Sequence, residues 1–352
     1  MNILIIGAGA VGQYLGGKLS AAGQNIAFIE KSKEKIDFIN KHKITIKDGD
    51  KDYLSRSIKA YYSFSDIPIE KADFDYIFLC VKAYHLKSVI EEIITFVDRA
   101  KVVVFQNGIG NEECAAEYFI LSSVISATST TAVYIGDDNI VYASGKGGIG
   151  IAPVNEPART RAHGNVPLLY DVFQDSGFNV KSYNNYKSLK WSKLLINMIG
   201  NAVVAVLDMP SVDVFSDKNM VNLEIEAFRE GVKVAKKLNV KLVDLPGFPV
   251  SIFAKAFFYL PFFMLKPFLK KKIAVSRGNK KPSLQIELLL RSGNTENEYI
   301  NGAVFNEAQK LGLNAPANKA IYDALEDIVK NENWEYYRNK PEVLWRLYEK
   351  HS

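Results

Sequence analysis

The feature that most constrains this chain is a glycine-rich turn that directly follows its first apolar run. Residues 3–6 are all Ile or Leu and predict a buried strand, and residues 7–12 (GAGAVG) then open a helical pattern. In such a turn the glycines permit a tight bend, the approach of a pyrophosphate and close helix–strand packing, and the amides at the helix start attract an anion. The pattern predicts a dinucleotide site formed by Gly7, Gly9, Ala10, Val11 and Gly12.

The end of the second predicted strand carries the residues that distinguish the two nicotinamide cofactors. Glu30 favours NAD, because a carboxylate accepts a hydrogen bond from the ribose 2′-hydroxyl and repels a 2′-phosphate. Lys31, followed by Ser32 and Lys33, favours NADP because basic side chains attract that phosphate. The residues alone leave both cofactors open.

The first half of the chain alternates short apolar runs with amphipathic segments, which is typical of βαβ units around a parallel sheet. Strands are predicted at residues 3–6, 26–30, 76–81, 102–105, 124–135, 140–143 and 179–181. Helices are predicted at residues 11–22, 86–97, 111–119 and 161–174, and a turn cluster at 145–150. We therefore expect an α/β, Rossmann-type dinucleotide-binding domain over residues 1–182.

Helical periodicity dominates the second half. Helices are predicted at residues 188–207, 221–238, 295–311 and 317–329, which gives an all-α substrate domain over residues 183–352. Within it, Lys193, Asn197 and Asn201 recur every four residues among Leu, Ile, Met and Gly, so we expect them to share one helix face. Polar groups among such neighbours are costly to desolvate unless they are hydrogen-bonded or face a cavity, although a thin exposed face is the alternative.

That polar stripe suits ketone reduction beside a nicotinamide. Hydride delivery to a ketone leaves negative charge on the carbonyl oxygen, and a lysine ammonium can donate a proton to it. The two uncharged asparagines can bind substrate hydroxyl or carboxylate groups. These residues predict a reductase.

Composition limits the other function classes. With 48% hydrophobic and 24% charged residues the chain is globular, and a net charge of +5 is too small to predict a nucleic-acid partner, although it favours small anionic ligands. The spacing of Cys80 and Cys114 predicts neither a metal site nor a disulfide framework, and the residues before the first strand do not predict a signal peptide. A reducing, cytoplasmic setting is expected.

In order and spacing, the motifs together resemble the ketopantoate reductase (2-dehydropantoate 2-reductase) family along nearly the whole chain. The resemblance rests on the glycine turn, Val81-Lys82-Ala83-Tyr84, Gln106-Asn107-Gly108, Lys193 with Asn197 and Asn201, and residues 295–302 (TENEYING).

The resemblance implies roles for individual residues. Lys193 corresponds to the proton donor, Glu296 to a glutamate that assists at the active site, and Asn197 to a substrate contact. Lys82 and Asn107 correspond to positions at the cofactor and nicotinamide end. Asn107 before Gly108 also suits a plain turn, and Glu296 also suits a helix cap near Thr295.

Two further correspondences and one departure concern the cofactor and the substrate. Lys31 stands where the family usually has an arginine for the NADP 2′-phosphate, so NADP is implied, while the neighbouring Glu30 departs from the pattern and keeps NAD open. Ser283 lies near the position of a substrate-binding serine.

Two segments depart from the family plan. An aromatic and basic insert near residues 250–277 has three interpretations: a helix pair packed on the helical domain or another subunit, a helix at a membrane surface, or a lid over a larger substrate. The aromatic tail, residues 333–352, is expected to pack onto the body of the protein.

The sequence therefore predicts a cytoplasmic NAD(P)H-dependent reductase of a 2-oxo acid, with 2-dehydropantoate reduced to pantoate in pantothenate and coenzyme A synthesis as the first choice. The alternatives are a related reductase for a bulkier 2-oxo acid and a non-catalytic nucleotide-sensing or peripheral membrane protein. A small anionic substrate is the expected partner, with no nucleic acid and no membrane; a homodimer is compatible with the sequence.

Overall fold

The computed structural model describes residues 1–68, 73–95, 97, 99–144, 146–154, 166–269, 281–291 and 293–352. Parts of four predictions, at residues 96, 145, 161–165 and 270–277, lie outside this range. Contacts divide the chain into two compact units: unit 1 comprises Met1–Gln106, Gly110–Leu189 and Leu245–Phe248, and unit 2 comprises Asn107–Ile109, Lys190–Asp244 and Pro249–Ser352. The division thus falls after Leu189, whereas the sequence analysis placed it after residue 182.

The strands of unit 1 form two sheets. In chain order they are β1 (Asn2–Ile6), β2 (Asn25–Ile29), β3 (Thr45–Asp48), β4 (Lys51–Leu54), β5 (Ile58–Tyr61), β6 (Tyr76–Leu79), β7 (Lys101–Val104), β8 (Val124–Ser129), β9 (Val133–Ile135), β10 (Val141–Ala143), β11 (Ile149–Pro153) and β12 (Val180–Ser182). The large sheet has the order β12-β11-β8-β7-β6-β1-β2-β5, and the small one β4-β3-β10-β9.

The large sheet is parallel except where β11 runs antiparallel to β8. Alternate residues of β1 enter different apolar clusters: Ile3 and Ile5 belong to one, and Leu4 and Ile6 to the other. Both faces of the strand are therefore buried, as expected for a parallel sheet covered on both sides. This confirms the Rossmann-type α/β prediction.

The helices of unit 1 are α1 (Ala10–Ala21), α2 (Lys33–His42), α3 (Leu86–Ile93), α4 (Asn111–Tyr118) and α5 (Val166–Asp175), and the first turn of α6 (Tyr186–Met198) also belongs to this unit. The hydroxyl of Tyr186 donates to Glu113 at 2.9 Å, and Leu189 lies against Gly150. These contacts explain why the division falls later than predicted.

The small sheet was missed by the sequence analysis. Its strands β3 and β4 are short and polar, and β3 pairs with β10, almost a hundred residues away in sequence. A buried ion pair joins this sheet to α1, because the Lys18 ammonium lies 2.8 Å from the Asp48 carboxylate. The predicted strand at residues 124–135 is in fact two strands, β8 in the large sheet and β9 in the small one.

Unit 2 is helical, which confirms the all-α prediction. Its further helices are α7 (Ala202–Leu207), α8 (Ser211–Val214), α9 (Lys218–Lys237), α10 (Val250–Tyr259), α11 (Phe262–Leu269), α12 (Ser283–Leu290), α13 (Asn301–Lys310), α14 (Pro316–Asn331), α15 (Trp334–Tyr337) and α16 (Pro341–His351). The tail packs onto the body as expected: the Trp334 indole donates to the carbonyls of Ala205 and Val206, although Tyr336 stays exposed.

The predicted single helix at residues 188–207 is wrong. It breaks between α6 and α7, where Gly200 has a φ of 63° and its amide donates to both carboxylate oxygens of Glu224, at 3.1 and 3.0 Å. The carboxylate thereby replaces the helical acceptor for that amide. Although the stretch Tyr186–Leu207 is apolar and long enough to cross a bilayer, 78% of its most apolar window is buried, as in a core helix.

Candidate active site

The glycine turn has the geometry that a dinucleotide requires. Gly7 has a φ of 101°, and an added Cβ would lie 3.0 Å from the backbone of Cys80 and Val81 at the end of β6. At Gly12 an added Cβ would collide with the Gly7 carbonyl oxygen, whereas at Gly9 it would meet nothing within 4 Å. Gly7 and Gly12 are thus required by close backbone packing, whereas the space beside Gly9 is open.

The start of α1 suits an anion. Gly9 is its N-cap, Ala10 and Val11 begin the helix, and no side chain of the described residues caps it. Its first backbone amides are therefore available to a pyrophosphate, whose charge the helix dipole also favours. The residues present fit a bound dinucleotide.

Glu30 is held against the glycine turn. Its carboxylate accepts hydrogen bonds from the Ala8 and Ser32 amides, both at 2.9 Å, and its side chain is only 13% exposed. Lys31 points elsewhere: its ammonium lies 3.2 Å from Glu92 and 57% of its side chain is exposed. Glu30, the residue that favours NAD, is therefore fixed beside the glycine turn, whereas Lys31, which favours NADP, is not.

Lys82 and Gln106 lie at the carboxyl ends of β6 and β7, where open α/β sheets bind ligands. Lys82 is half-buried, and the Gln106 amide donates to the Val81 carbonyl at 3.1 Å. Gln106 therefore ties the two strand ends together. It stands in one of the motifs on which the resemblance rests, but the sequence analysis assigned it no role.

The loop after β7 belongs to unit 2. The Ile109 amide donates to the Tyr299 carbonyl at 3.0 Å, and Gly108, with a φ of 87°, leaves no room for a Cβ beside Tyr299. This brings the loop of Asn107 to the 3₁₀ turn Glu296–Tyr299, which the sequence does not reveal. Asn107 itself is half-buried.

Lys193 and Asn197 lie one helical turn apart on α6, and both are half-buried. The Asn197 Nδ2 atom is buried and has no hydrogen-bond partner among the described residues. A buried donor without an acceptor costs about 1–3 kcal/mol, so a hydrogen bond to this amide would be favourable. The Asn197 amide can therefore donate to a ligand oxygen.

Asn201 does not share that helix face, because the break at Gly200 separates it from α6. It is 2% exposed, and its side-chain oxygen accepts from the Leu284 amide at 3.3 Å while its Nδ2 donates to the Ser283 hydroxyl at 3.4 Å. The structure thus brings two of the predicted substrate residues together. Asn201 holds the start of α12, which corrects the expectation of one continuous polar stripe.

Glu296 is not a helix cap. The Thr295 hydroxyl caps the 3₁₀ turn by accepting from the Asn297 amide, while Glu296 is 2% exposed and its own amide donates to the Glu287 carboxylate at 2.8 Å. Glu287, itself buried, therefore positions the segment that carries Glu296.

The supporting carboxylates Glu224 and Glu287 were missed by the sequence analysis. Each is an acidic residue in an apolar helical segment, VNLEIEAF and SLQIELLL, and both are buried. Acidic residues in such apolar segments are seldom buried without partners, so this pattern is the signal that could have found them.

Comparison with known families identifies the chain. It matches the family described as "Ketopantoate reductase PanE/ApbA" over residues 3–156 and the C-terminal part of that family over residues 185–329. The chain belongs to the ketopantoate reductase family. It is therefore an oxidoreductase that uses a nicotinamide dinucleotide. This confirms both the resemblance and the enzyme class.

Individual relatives agree with that assignment. The 2-dehydropantoate 2-reductases of Pyrococcus abyssi and Pyrococcus horikoshii are 25% and 27% identical, each aligned to 92% of this chain, and the alignments cover 96% and 95% of those proteins. A solved D-mandelate dehydrogenase with NADH and anilino(oxo)acetate has a TM-score of 0.77 at 19% identity, over 95% of this chain and 100% of that one. A Geobacter metallireducens 2-dehydropantoate 2-reductase reaches 0.76 at 21%, over 93% and 99%.

Proposed function

We propose that this protein reduces 2-dehydropantoate to pantoate in the cytoplasm, in the synthesis of pantothenate and coenzyme A. The family membership and the names of the relatives at 25–27% identity support the substrate. The two cysteines, both unpaired, suit a reducing compartment. The single observation that carries the proposal is the orphaned Asn197 amide one turn from Lys193.

The residues of unit 2 supply acid catalysis and substrate binding. The glycine turn of unit 1 would hold a reduced nicotinamide dinucleotide, which would supply a hydride for the ketone carbon. The Lys193 ammonium donates a proton to the carbonyl oxygen as negative charge develops there, and solvent returns the proton to the lysine. The Asn197 amide donates to a substrate oxygen, and that bond satisfies its buried N–H group.

Glu296 completes the arrangement as a positioning residue. We propose that its carboxylate orients the Lys193 ammonium or a substrate hydroxyl. We also propose that Asn201 acts indirectly, by holding Ser283, whose hydroxyl would bind the substrate. Lys82 and Asn107 would serve the cofactor and its nicotinamide end, as the family resemblance implies.

Removal of the Lys193 ammonium tests the proposal. Lys193→Ala should lower kcat with 2-dehydropantoate by about 10²–10⁴-fold, because the developing oxyanion loses its proton donor. Cofactor binding, followed by fluorescence titration, should be unchanged. Lys187→Ala, an exposed lysine on the same helix, is the matched control and should retain full activity. Equal activity of both variants would contradict the assigned acid.

A panel of 2-oxo acids tests the substrate. We expect kcat/KM to be highest for 2-dehydropantoate, with phenyl- and alkyl-substituted 2-oxo acids well below it. A bulkier 2-oxo acid at the top of the ranking, with Lys193→Ala still inactive, would retain the mechanism and replace the substrate.

For the cofactor we propose NADH in preference to NADPH, which departs from the cofactor that the family resemblance implies. The Glu30 carboxylate, held by the Ala8 and Ser32 amides, can accept from a ribose 2′-hydroxyl and repels a 2′-phosphate. The Lys31 ammonium pairs with Glu92 instead.

The charge of Glu30 can be removed with almost no change of shape. Glu30→Gln should lower the KM for NADPH relative to that for NADH by about tenfold or more, because the charge repulsion disappears. Glu34→Gln is the control: Glu34 is a carboxylate on α2 that does not accept from the Ala8 or Ser32 amide. Its substitution should leave the ratio of the KM for NADPH to the KM for NADH unchanged. A wild-type protein that already prefers NADPH would overturn this cofactor assignment without affecting the substrate test.

A further inference from the structure

Helices α10 and α11 form a corner whose inner side is firmly packed. Phe257 is buried against Phe228 of α9, with the ring centroids 4.4 Å apart. The Arg229 guanidinium donates to the carbonyls of Phe257 at 2.7 Å and Leu260 at 2.8 Å, where α10 ends. The corner is therefore anchored on the body of unit 2, as one of the three interpretations of the insert expects.

The outer side of the same corner is apolar and faces water. Ile252 is 62% exposed, Tyr259 74%, Phe263 73% and Met264 51%. Ile252 and Tyr259 are seven residues apart, so they lie on one face of α10. Phe263 and Met264 are exposed in the first turn of α11, which begins three residues after α10 ends. We call these four residues the apolar ridge. Large neighbouring apolar groups in water mark a surface that another partner covers.

The charge around the apolar ridge identifies the partner. Between residues 245 and 286 the sequence contains eight Lys or Arg residues and no Asp or Glu. Lys255, on the exposed face of α10, and Lys281 are exposed, and Lys266 on α11 is half-buried. Exposed aromatic and aliphatic groups in a segment whose sequence carries only cationic charge are typical of segments that lie on anionic lipid.

We propose that the apolar ridge docks on the surface of an anionic phospholipid bilayer, with Lys255, Lys266 and Lys281 at the headgroups. A peripheral membrane contact of this kind goes beyond the reductase activity and does not depend on it. A second copy of the chain fits the surface less well, because two such faces would bring like charges together.

Flotation of the full-length protein with lipid vesicles tests the proposal. We expect binding to phosphatidylcholine vesicles that contain about one third phosphatidylglycerol, little binding to pure phosphatidylcholine, and weaker binding as salt is raised. Phe263→Asp should weaken binding by about tenfold or more and leave reductase activity unchanged. Ile120→Asp, which replaces a 78% exposed residue of unit 1, is the matched control and should bind as the wild type does.

A second pair of variants keeps the test decisive if Phe263→Asp does not fold. Lys255→Glu with Lys266→Glu should weaken binding to the anionic vesicles, whereas Lys41→Glu with Lys59→Glu, two exposed lysines of unit 1, should not. No binding to anionic vesicles, or equal binding to both kinds, would overturn the proposal. So would a dimer, detected by sedimentation, that Phe263→Asp dissociates.

Discussion

The nucleotide end of unit 1 and the α6 region of unit 2 are built in opposite ways. The glycine turn offers the backbone amides that begin α1, and its supporting carboxylate, Glu30, directly follows β2, the next strand along the chain. Around α6, by contrast, the break depends on Glu224, and Asn201 bonds to residues more than eighty positions away. One site is local in sequence, and the other is assembled from distant helices.

This difference teaches where mutations should act. In unit 1, neighbouring glycines separate into those that the fold needs and one that leaves space for a ligand. In unit 2, two asparagines of one motif differ: the Asn197 Nδ2 atom has no hydrogen-bond partner among the described residues, whereas the Asn201 side chain bonds to the start of α12. Sequence spacing alone does not distinguish the glycines of the turn from one another, or the two asparagines.

The largest effect should come from the glycine turn. Gly12→Ala places a methyl group against the Gly7 carbonyl, so both cofactor binding and thermal stability should fall sharply. Gly9→Ala meets nothing within 4 Å and should retain the wild-type Tm but bind the reduced cofactor much more weakly. Calorimetry and fluorescence titration of both variants check this. Wild-type cofactor affinity in Gly9→Ala would refute a ligand role for that space.

The asparagine pair should give the next largest effect. Asn201→Ala removes one buried and one partly buried hydrogen bond and leaves the Leu284 amide unsatisfied, so the free energy of unfolding should fall by roughly 2–4 kcal/mol. Asn197→Ala should cost less than about 1 kcal/mol of stability, because its Nδ2 has no partner to lose among the described residues, and should raise the substrate KM by about tenfold. Urea unfolding with steady-state kinetics checks both. Equal destabilisation by the two variants would remove the distinction.

The smallest effect concerns a tyrosine that is buried in the large sheet. Burial, with a contribution from Asp75, raises the pKa of Tyr76 on β6 from 10.0 to about 12. The folded protein thus keeps a proton that the unfolded chain releases, so stability should fall as pH rises from about 10 to 12, by up to about 2 kcal/mol. Tyr76→Phe should flatten that slope, and Tyr62→Phe, a 55% exposed tyrosine, should not. An unchanged slope in Tyr76→Phe would show that Tyr76 titrates normally.

Much of the fold could be predicted because its signals are local. Buried parallel strands such as Ile3–Ile6 are continuous apolar runs, and the helices of unit 2 show regular periodicity. The small sheet could not be predicted, since β3 is polar and its pairing with β10 is non-local. The helix break at Gly200 could not be predicted for the same reason: Glu224, which accepts a hydrogen bond from the Gly200 amide and stabilises the break, is on another helix.

The sequence by itself determined the two-part architecture, the glycine turn and the candidate lysine, because each depends on residue types at short spacing. Only the tertiary structure decided that Asn197 keeps an unsatisfied amide while Asn201 bonds to Ser283 and Leu284, and that Glu30 is held beside the turn while Lys31 is not. The physical reason is that a polar side chain acquires its role from the partner it meets on burial, and that partner is set by packing between distant segments.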